Sequence, residues 1–206
     1  MKPLRVVAPP VVVGALSAFQ AMLEQLEAIK ADGQAVSAGL SDAQFNWRPS
    51  PDRWSIAECL QHLNVAVSRT LPAFDRAIGE GRSKGRIAPE GEREPLRYGW
   101  VSRWMIRSME PPPTRRMRTF PIFALPAGGT YAAAQVVPEF LVVRDQLADR
   151  VREADGLDLR GIKAVSPVNR LLRLPVGAYF QFVIAHDRRH LWQARQVRNT
   201  PGFGAD

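Results

Sequence analysis

The chain has 206 residues, 46% hydrophobic and 23% charged, with a formal net charge of +8, the balance of an ordinary globular protein that can fill a core without metal or disulfide staples. Its single cysteine, Cys59, excludes a disulfide framework, a CxxC redox pair and a cysteine-rich zinc module, and fits a reducing cytoplasm. No apolar run reaches the roughly 18 residues that a membrane span requires, so no membrane partner is expected.

At roughly one and a half times a modal domain, the chain is expected to form one domain over 1–206. Lys2 and Arg5 precede an apolar stretch, Val6 to Leu16, that resembles a weak signal sequence. Pro9 and Pro10 interrupt it, and the cytoplasm is the expected location. Four long segments then carry helical periodicity. The first runs from about Leu16 to Ala38, with Leu16, Phe19, Leu23 and Leu26 on one face. Gly39 ends it, and Ser41 opens a short helical turn before the Pro49–Pro51 loop. The second begins at Ser55, where Ser55-Ile56-Ala57-Glu58 spells a capping box. Its stripe continues through Leu60, Leu63, Val67, Leu71, Phe74 and Ile78.

A long connection, 79–130, is broken by glycine and proline and holds a helix around Leu96–Met109 that ends at Pro111-Pro112-Pro113. The third long helix is expected over Tyr131–Ala154, with Pro138 kinking it or marking its true start and Gly156 as its C-cap. Ser166-Pro167 then starts a short helix, and the fourth long helix covers about Val176–Arg198. No segment shows sustained strand alternation. The pattern is all-α, and one very long connection among four helices reads as a four-helix bundle with a crossover.

Charge is unevenly distributed. Residues 1–78 balance, 79–118 carry ten basic against five acidic side chains, 119–159 sum to −3, and 160–206 to +6. A basic surface attracts nucleic acid, anionic lipid or an anionic small molecule. No zinc-finger spacing, RNP-type aromatic motif or helix-turn-helix accompanies it, so solvated arginines are the simpler reading and nucleic acid is a minor one.

Chemistry concentrates in the three histidines. His186 and His190 lie one turn apart on the fourth helix, and Tyr179, Val183, Ala194 and Val197 share their stripe, about 80° wide. Imidazoles at core positions require partners, because burying an unpaired polar group costs a few kcal/mol. Two at i and i+4 can chelate one divalent ion. Beyond His190 only Asp206 could add a ligand, so a zinc-protease arrangement fails and a third ligand must come from upstream. His62 is the one histidine left, on a face of the second helix with the small residues Ser55, Cys59, Ala66, Ala73 and Ala77. The same spacing also fits two hydrogen-bonded core histidines with His62 on the surface. Cys59 reads as a small buried hydrophobe rather than a fourth ligand or redox thiol. Trp47 and Trp54 read as structural plugs, and Glu58 as a cap rather than a catalyst. Asp187 could orient a ligand or act as a base, against a preferred surface role. Gln193, one turn past His190, is a candidate to support it from behind.

Arg53-Trp54-Ser55-Ile56-Ala57-Glu58, followed by His62-Leu63, resembles the first signature of the DinB-like superfamily of bacterial helical-bundle metalloproteins. His186 to His190, followed by Leu191 and Gln193, resembles its second, and Phe120–Thr130 fits the approach to the third helix. The resemblance spans roughly residues 15–198. It implies an up-down-down-up four-helix bundle, with 79–130 as the crossover between the second and third helices. It also implies a divalent metal, zinc or nickel, on His62, His186 and His190. Better-understood relatives activate a low-molecular-weight thiol such as bacillithiol or mycothiol. The expectation is a metal-dependent thiol transferase or hydrolase acting on a small molecule. Its competitors are a non-catalytic metal- or ligand-binding bundle with a stress-related role and, less favoured, a nucleic-acid binder. Trp100 and Trp104 in the connection could serve a homodimer contact. The basic stretch 80–118 belongs to neither signature.

Overall fold

Three helices begin at a serine for one physical reason. Ser17, Ser41 and Ser55 each accept a hydrogen bond from the backbone N–H three residues on, while Gln20, Gln44 and Glu58 reach back to the serine N–H. Each box satisfies two donors that a helix start leaves without partners. The computed structural model describes residues 17–88, 97–113 and 117–204. Among these, α1 is Ala18–Ser37, α2 Asp42–Asn46, α3 Ile56–Ser83, α4 Trp100–Met109, α5 Ala133–Glu153 and α6 Val176–Arg198. A 3-10 turn covers Pro121–Phe123, and a two-stranded antiparallel hairpin pairs β1, Lys163–Val165, with β2, Arg173–Pro175. The protein is mostly helical, as its periodicity predicts.

Several boundaries depart from expectation. The helix that opens at Ser55 continues past Gly79 to Ser83. Gly81 faces Ile162 so closely that a Cβ there would collide with its side chain, so the glycine permits this packing instead of ending the helix. α5 starts at Ala133 and runs through Pro138, which therefore neither begins nor ends it. The expected short helix at Ser166-Pro167 is replaced by the hairpin, with Ser166 N–H donating to the Leu172 carbonyl at 2.9 Å. Strands of three residues are too short to print an alternation. The hairpin matters because α6 has no side-chain cap: Val176 N–H donates to the Ile162 carbonyl (3.0 Å) and Gly177 N–H to that of Leu159 (3.1 Å). The Val6–Leu16 stretch and Asp206 lie outside the described residues, as does 89–96 in the basic connection.

The core lies between α1, α3, α5 and α6, where Leu26, Leu60, Leu63, Phe74, Phe140 and Phe180 are fully buried. Each such side chain contributes about 1.5–3 kcal/mol by leaving water. Cross-contacts define the pairings. In α1 and α5, Lys30 meets Asp145 at 2.6 Å and Gly33 lies against the Phe140 ring. In α1 and α6, Asp32 meets Arg195 at 2.8 Å and the Val36 carbonyl accepts from Arg198 at 3.0 Å. In α3 and α5, Asn64 donates to the Val136 carbonyl (3.1 Å) and Asp75 meets Arg150 (2.9 Å). In α3 and α6, Phe74 stacks on Phe180 with ring centroids 4.2 Å apart.

One polar cluster crosses this core. Arg144 of α5 grips Asp187 of α6 through Nε (3.2 Å) and Nη2 (2.9 Å), and its Nη1 donates to Asn64 Oδ1 of α3 at 2.9 Å. The guanidinium carbon sits 3.8 Å from the centroid of the Phe140 ring. All three polar residues are fully buried. The expected surface role of Asp187 is thereby corrected: its charge is offset by an arginine 43 positions away in the chain. Removing one member strands the other charge in the core. Asp187→Ala is expected to lower unfolding free energy by about 3–5 kcal/mol in urea titrations. Arg144→Met with Asp187→Leu should recover part of that loss, the remainder coming from Asn64 Oδ1 left without its donor.

Candidate metal centre

His62 occupies the second turn of α3, so the clamp on that helix start also sets its position. Glu58 Oε2 accepts from Ser55 N–H (2.9 Å) and from Arg48 Nε (2.8 Å), while Oε1 accepts from Arg48 Nη2 (2.6 Å). Glu58 thus serves the helix start, as its spacing predicts. The His62 ring is buried, with Nδ1 at 3.1 Å from the Phe123 carbonyl. A carbonyl only accepts, so Nδ1 carries the proton and Nε2 keeps its lone pair.

His186 and His190 are half-buried, one turn apart on α6. His190 Nδ1 donates to Gln193 Oε1 at 3.1 Å, which again leaves Nε2 unprotonated. The Nε2 atoms of His62 and His186 are 3.3 Å apart, and one ring nitrogen from each of the three residues falls within 4.8 Å of the others. Two nitrogens on one tetrahedral zinc, at about 2.0–2.1 Å each, stand roughly 3.3 Å apart. The His62–His186 pair already has that separation. Without an ion, the same distance is an N–H···N hydrogen bond.

Electrostatics keep the rings neutral. Burial pushes the His62 pKa down, helped by Arg144 and opposed by the Phe123 carbonyl. His186 is pushed down to about 3 by burial, then by His62, Arg144 and Arg189. Burial, His186, His62 and Arg189 hold His190 well below its ordinary value, with Gln193 opposing. Three neutral imidazoles are the donor set a divalent ion takes without first displacing protons. The residues therefore fit such an ion.

Around them the structure adds groups that spacing does not reveal. Trp54, expected as a plug, lies 4.9 Å from His62 and stacks on His190 at 5.4 Å with planes 23° apart. Its place one residue before the capping serine was a usable signal, since a residue there reaches back over the first turns. The Phe123 carbonyl carried no signal, being a backbone group from the far end of the connection. Cys59 is buried and outside the histidine group, and burial followed by Glu58 pushes its thiol up, against a metal-bound thiolate. The rings open onto a cleft of about 820 Å³ lined mainly by apolar side chains, among them Trp54, Trp104, Phe123, Leu172 and Phe182. Trp104 is 57% exposed at its rim and Trp100 is 74% exposed.

A family model of the DinB superfamily matches residues 25–194, most of the chain, and the match takes in all three histidines. The chain belongs to the DinB superfamily. It is 26% identical over 160 residues to the uncharacterized protein YuaE of Bacillus subtilis (strain 168), covering 78% of this chain and 86% of YuaE. No solved structure matched. In this DinB-superfamily chain, the two sequence signatures meet in one cluster.

Because folding depresses these histidine pKa values, the unfolded chain takes up protons first as the pH falls. Stability of the metal-free protein is complete above the unfolded value of about 6.5 and is lost progressively towards the folded value, about 3 for His186. Urea midpoints should drop between pH 7 and 5, above the range where carboxylates titrate. The slope approaches about 1.4 kcal/mol per pH unit for each fully displaced histidine, and His186→Gln should flatten it.

Proposed function

We propose that this chain is a metal-dependent enzyme that binds one divalent ion, zinc or nickel, through His62, His186 and His190 and acts on a small molecule as a thiol S-transferase or hydrolase. The observation that carries the reading is the approach of three neutral imidazoles, with a 3.3 Å Nε2 separation in one pair, on the wall of an open cleft. An ion held by three neutral ligands keeps its charge and an open position, where it lowers the pKa of water to about 7 or deprotonates a thiol.

The chain's own residues prepare that position. Phe123 and Gln193 fix the protons of His62 and His190 on Nδ1, which directs both Nε2 lone pairs inward. Trp54 packs on two of the rings and limits their rotation. The apolar cleft wall lowers the local dielectric, which strengthens charge interactions at the site. The helix pairings support an up-down-down-up bundle in one domain, with the connection between α3 and α5 as its crossover. A single buried thiol is in keeping with the cytoplasm.

A second reading, a non-catalytic metal-binding protein, draws on a specific observation. The two carboxylates nearest the histidines in sequence are engaged: Asp187 by Arg144, and Glu58 by Arg48 and the Ser55 cap. Neither of these two carboxylates is free to act as a base at the site. Binding without thiol-dependent or hydrolytic turnover across a broad substrate screen would favour the second reading.

Protein purified without a nickel column is expected to carry one zinc or nickel per chain by elemental analysis. His62→Ala, His186→Ala and His190→Ala should each abolish this stoichiometric binding. Retention of the metal by His186→Ala or His190→Ala would remove the proposal. Gln193→Ala should weaken metal affinity by about 10–100-fold in chelator competition, with the fold intact by circular dichroism.

A further inference from the structure

The cleft runs along two antiparallel helices, and its ends differ in chemistry. At one end His62 of α3 meets His186 of α6. At the other, Thr70 of α3, Tyr179 of α6 and Ser166 next to β1 place three buried, hydroxyl-bearing side chains on the cleft wall. Thr70 lies eight residues from His62, and Tyr179 seven from His186. At about 1.5 Å of rise per residue, the two ends stand about 10–12 Å apart. The wall between them is apolar: Ala66 and Val67 on one helix, Phe182 and Val183 on the other. Ala66 leaves room where a larger side chain would fill the channel.

The hydroxyl cluster has a definite preference. Thr70 Oγ1 donates to the Ala66 carbonyl at 2.8 Å, and Ser166 Oγ accepts from Val168 N–H at 3.3 Å. Each hydroxyl offers one donor and two acceptor sites, so the cluster retains capacity of both kinds. A neutral amide or alcohol, which also donates and accepts, matches it. A carboxylate would need a positive charge, which none of the three supplies.

We propose that the cleft binds an elongated amphipathic molecule, with a neutral hydrogen-bonding head on Tyr179, Thr70 and Ser166, an apolar body along Ala66, Val67 and Val183, and its reacting group at the histidines. The inference rests on the proposed metal site only for which end reacts. The volume of about 820 Å³ lies in the range of small-molecule pockets.

The test uses the full chain after EDTA treatment, with octanamide, whose extended length suits the spacing of about 10 Å, and butanamide as probes. Binding is read from tryptophan fluorescence, because Trp54, Trp104 and Trp192 line the cleft. Octanamide should bind at least about tenfold more tightly than butanamide, through its additional buried methylenes. Tyr179→Phe and Thr70→Val, which keep the volume, should each weaken octanamide by about three- to tenfold. Ala66→Phe should block the body and abolish the preference for the longer chain. No octanamide binding, or equal affinity for the two amides, overturns the proposal. So does octanamide affinity that Tyr179→Phe and Thr70→Val leave unchanged. Zinc uptake by the same preparation separates the two readings. Amide binding without zinc uptake preserves the ligand assignment and removes the metal chemistry, and zinc uptake without amide binding does the reverse.

Discussion

The Arg144–Asp187–Asn64 cluster is the constraint on which the site's geometry depends. A guanidinium without water must find its partners inside the protein, and Arg144 finds them on two different helices. Asp187 directly follows His186, and Asn64 is two positions beyond His62. On a helix these neighbours point in different directions, so one interaction behind the site sets the rotation of both helices in front of it. Hydrophobic packing alone tolerates small rotations, because apolar contacts have no strong direction. A bidentate ion pair does not. The 3.3 Å approach of His62 to His186 depends on that rotational register.

The same economy of position appears at the helix starts. The capping box at Ser55 begins α3, and Arg48 binds its glutamate, tying the preceding loop to the first turn. Trp54, one residue earlier, is thereby held over His62 and His190. The long connection takes part as well. Its Phe123 carbonyl fixes the His62 tautomer, and Trp104, Met105 and Phe120 form part of the cleft wall. A segment outside both sequence signatures therefore builds much of the environment in which they act.

Much of this molecule was legible in one dimension. The helix start at Ser55, the stripe from Ile56 to Ile78 and the one-turn spacing of His186 and His190 are local properties, set by period and capping chemistry within a few residues. Local chemistry was also enough to read Glu58 as a cap. It misled at Asp187, where a charged residue beside Arg188 and Arg189 resembles a solvated face until an arginine from another helix is seen to neutralise it in the core. It also misled at Ser166-Pro167, read as the start of a short helix, where the structure has a hairpin whose three-residue strands are held by pairing rather than by alternation.

What the sequence determined by itself is the helical character of the chain and its inventory of reactive groups, because both follow from residue type and nearest neighbours. Only the tertiary structure decided which groups share one space. That His62 meets His186 across 124 positions, that Phe123 closes behind it, and that three hydroxyls gather at the far end of the same cleft are outcomes of helix packing. Packing depends on contacts between residues far apart in the chain, and no local pattern carries them.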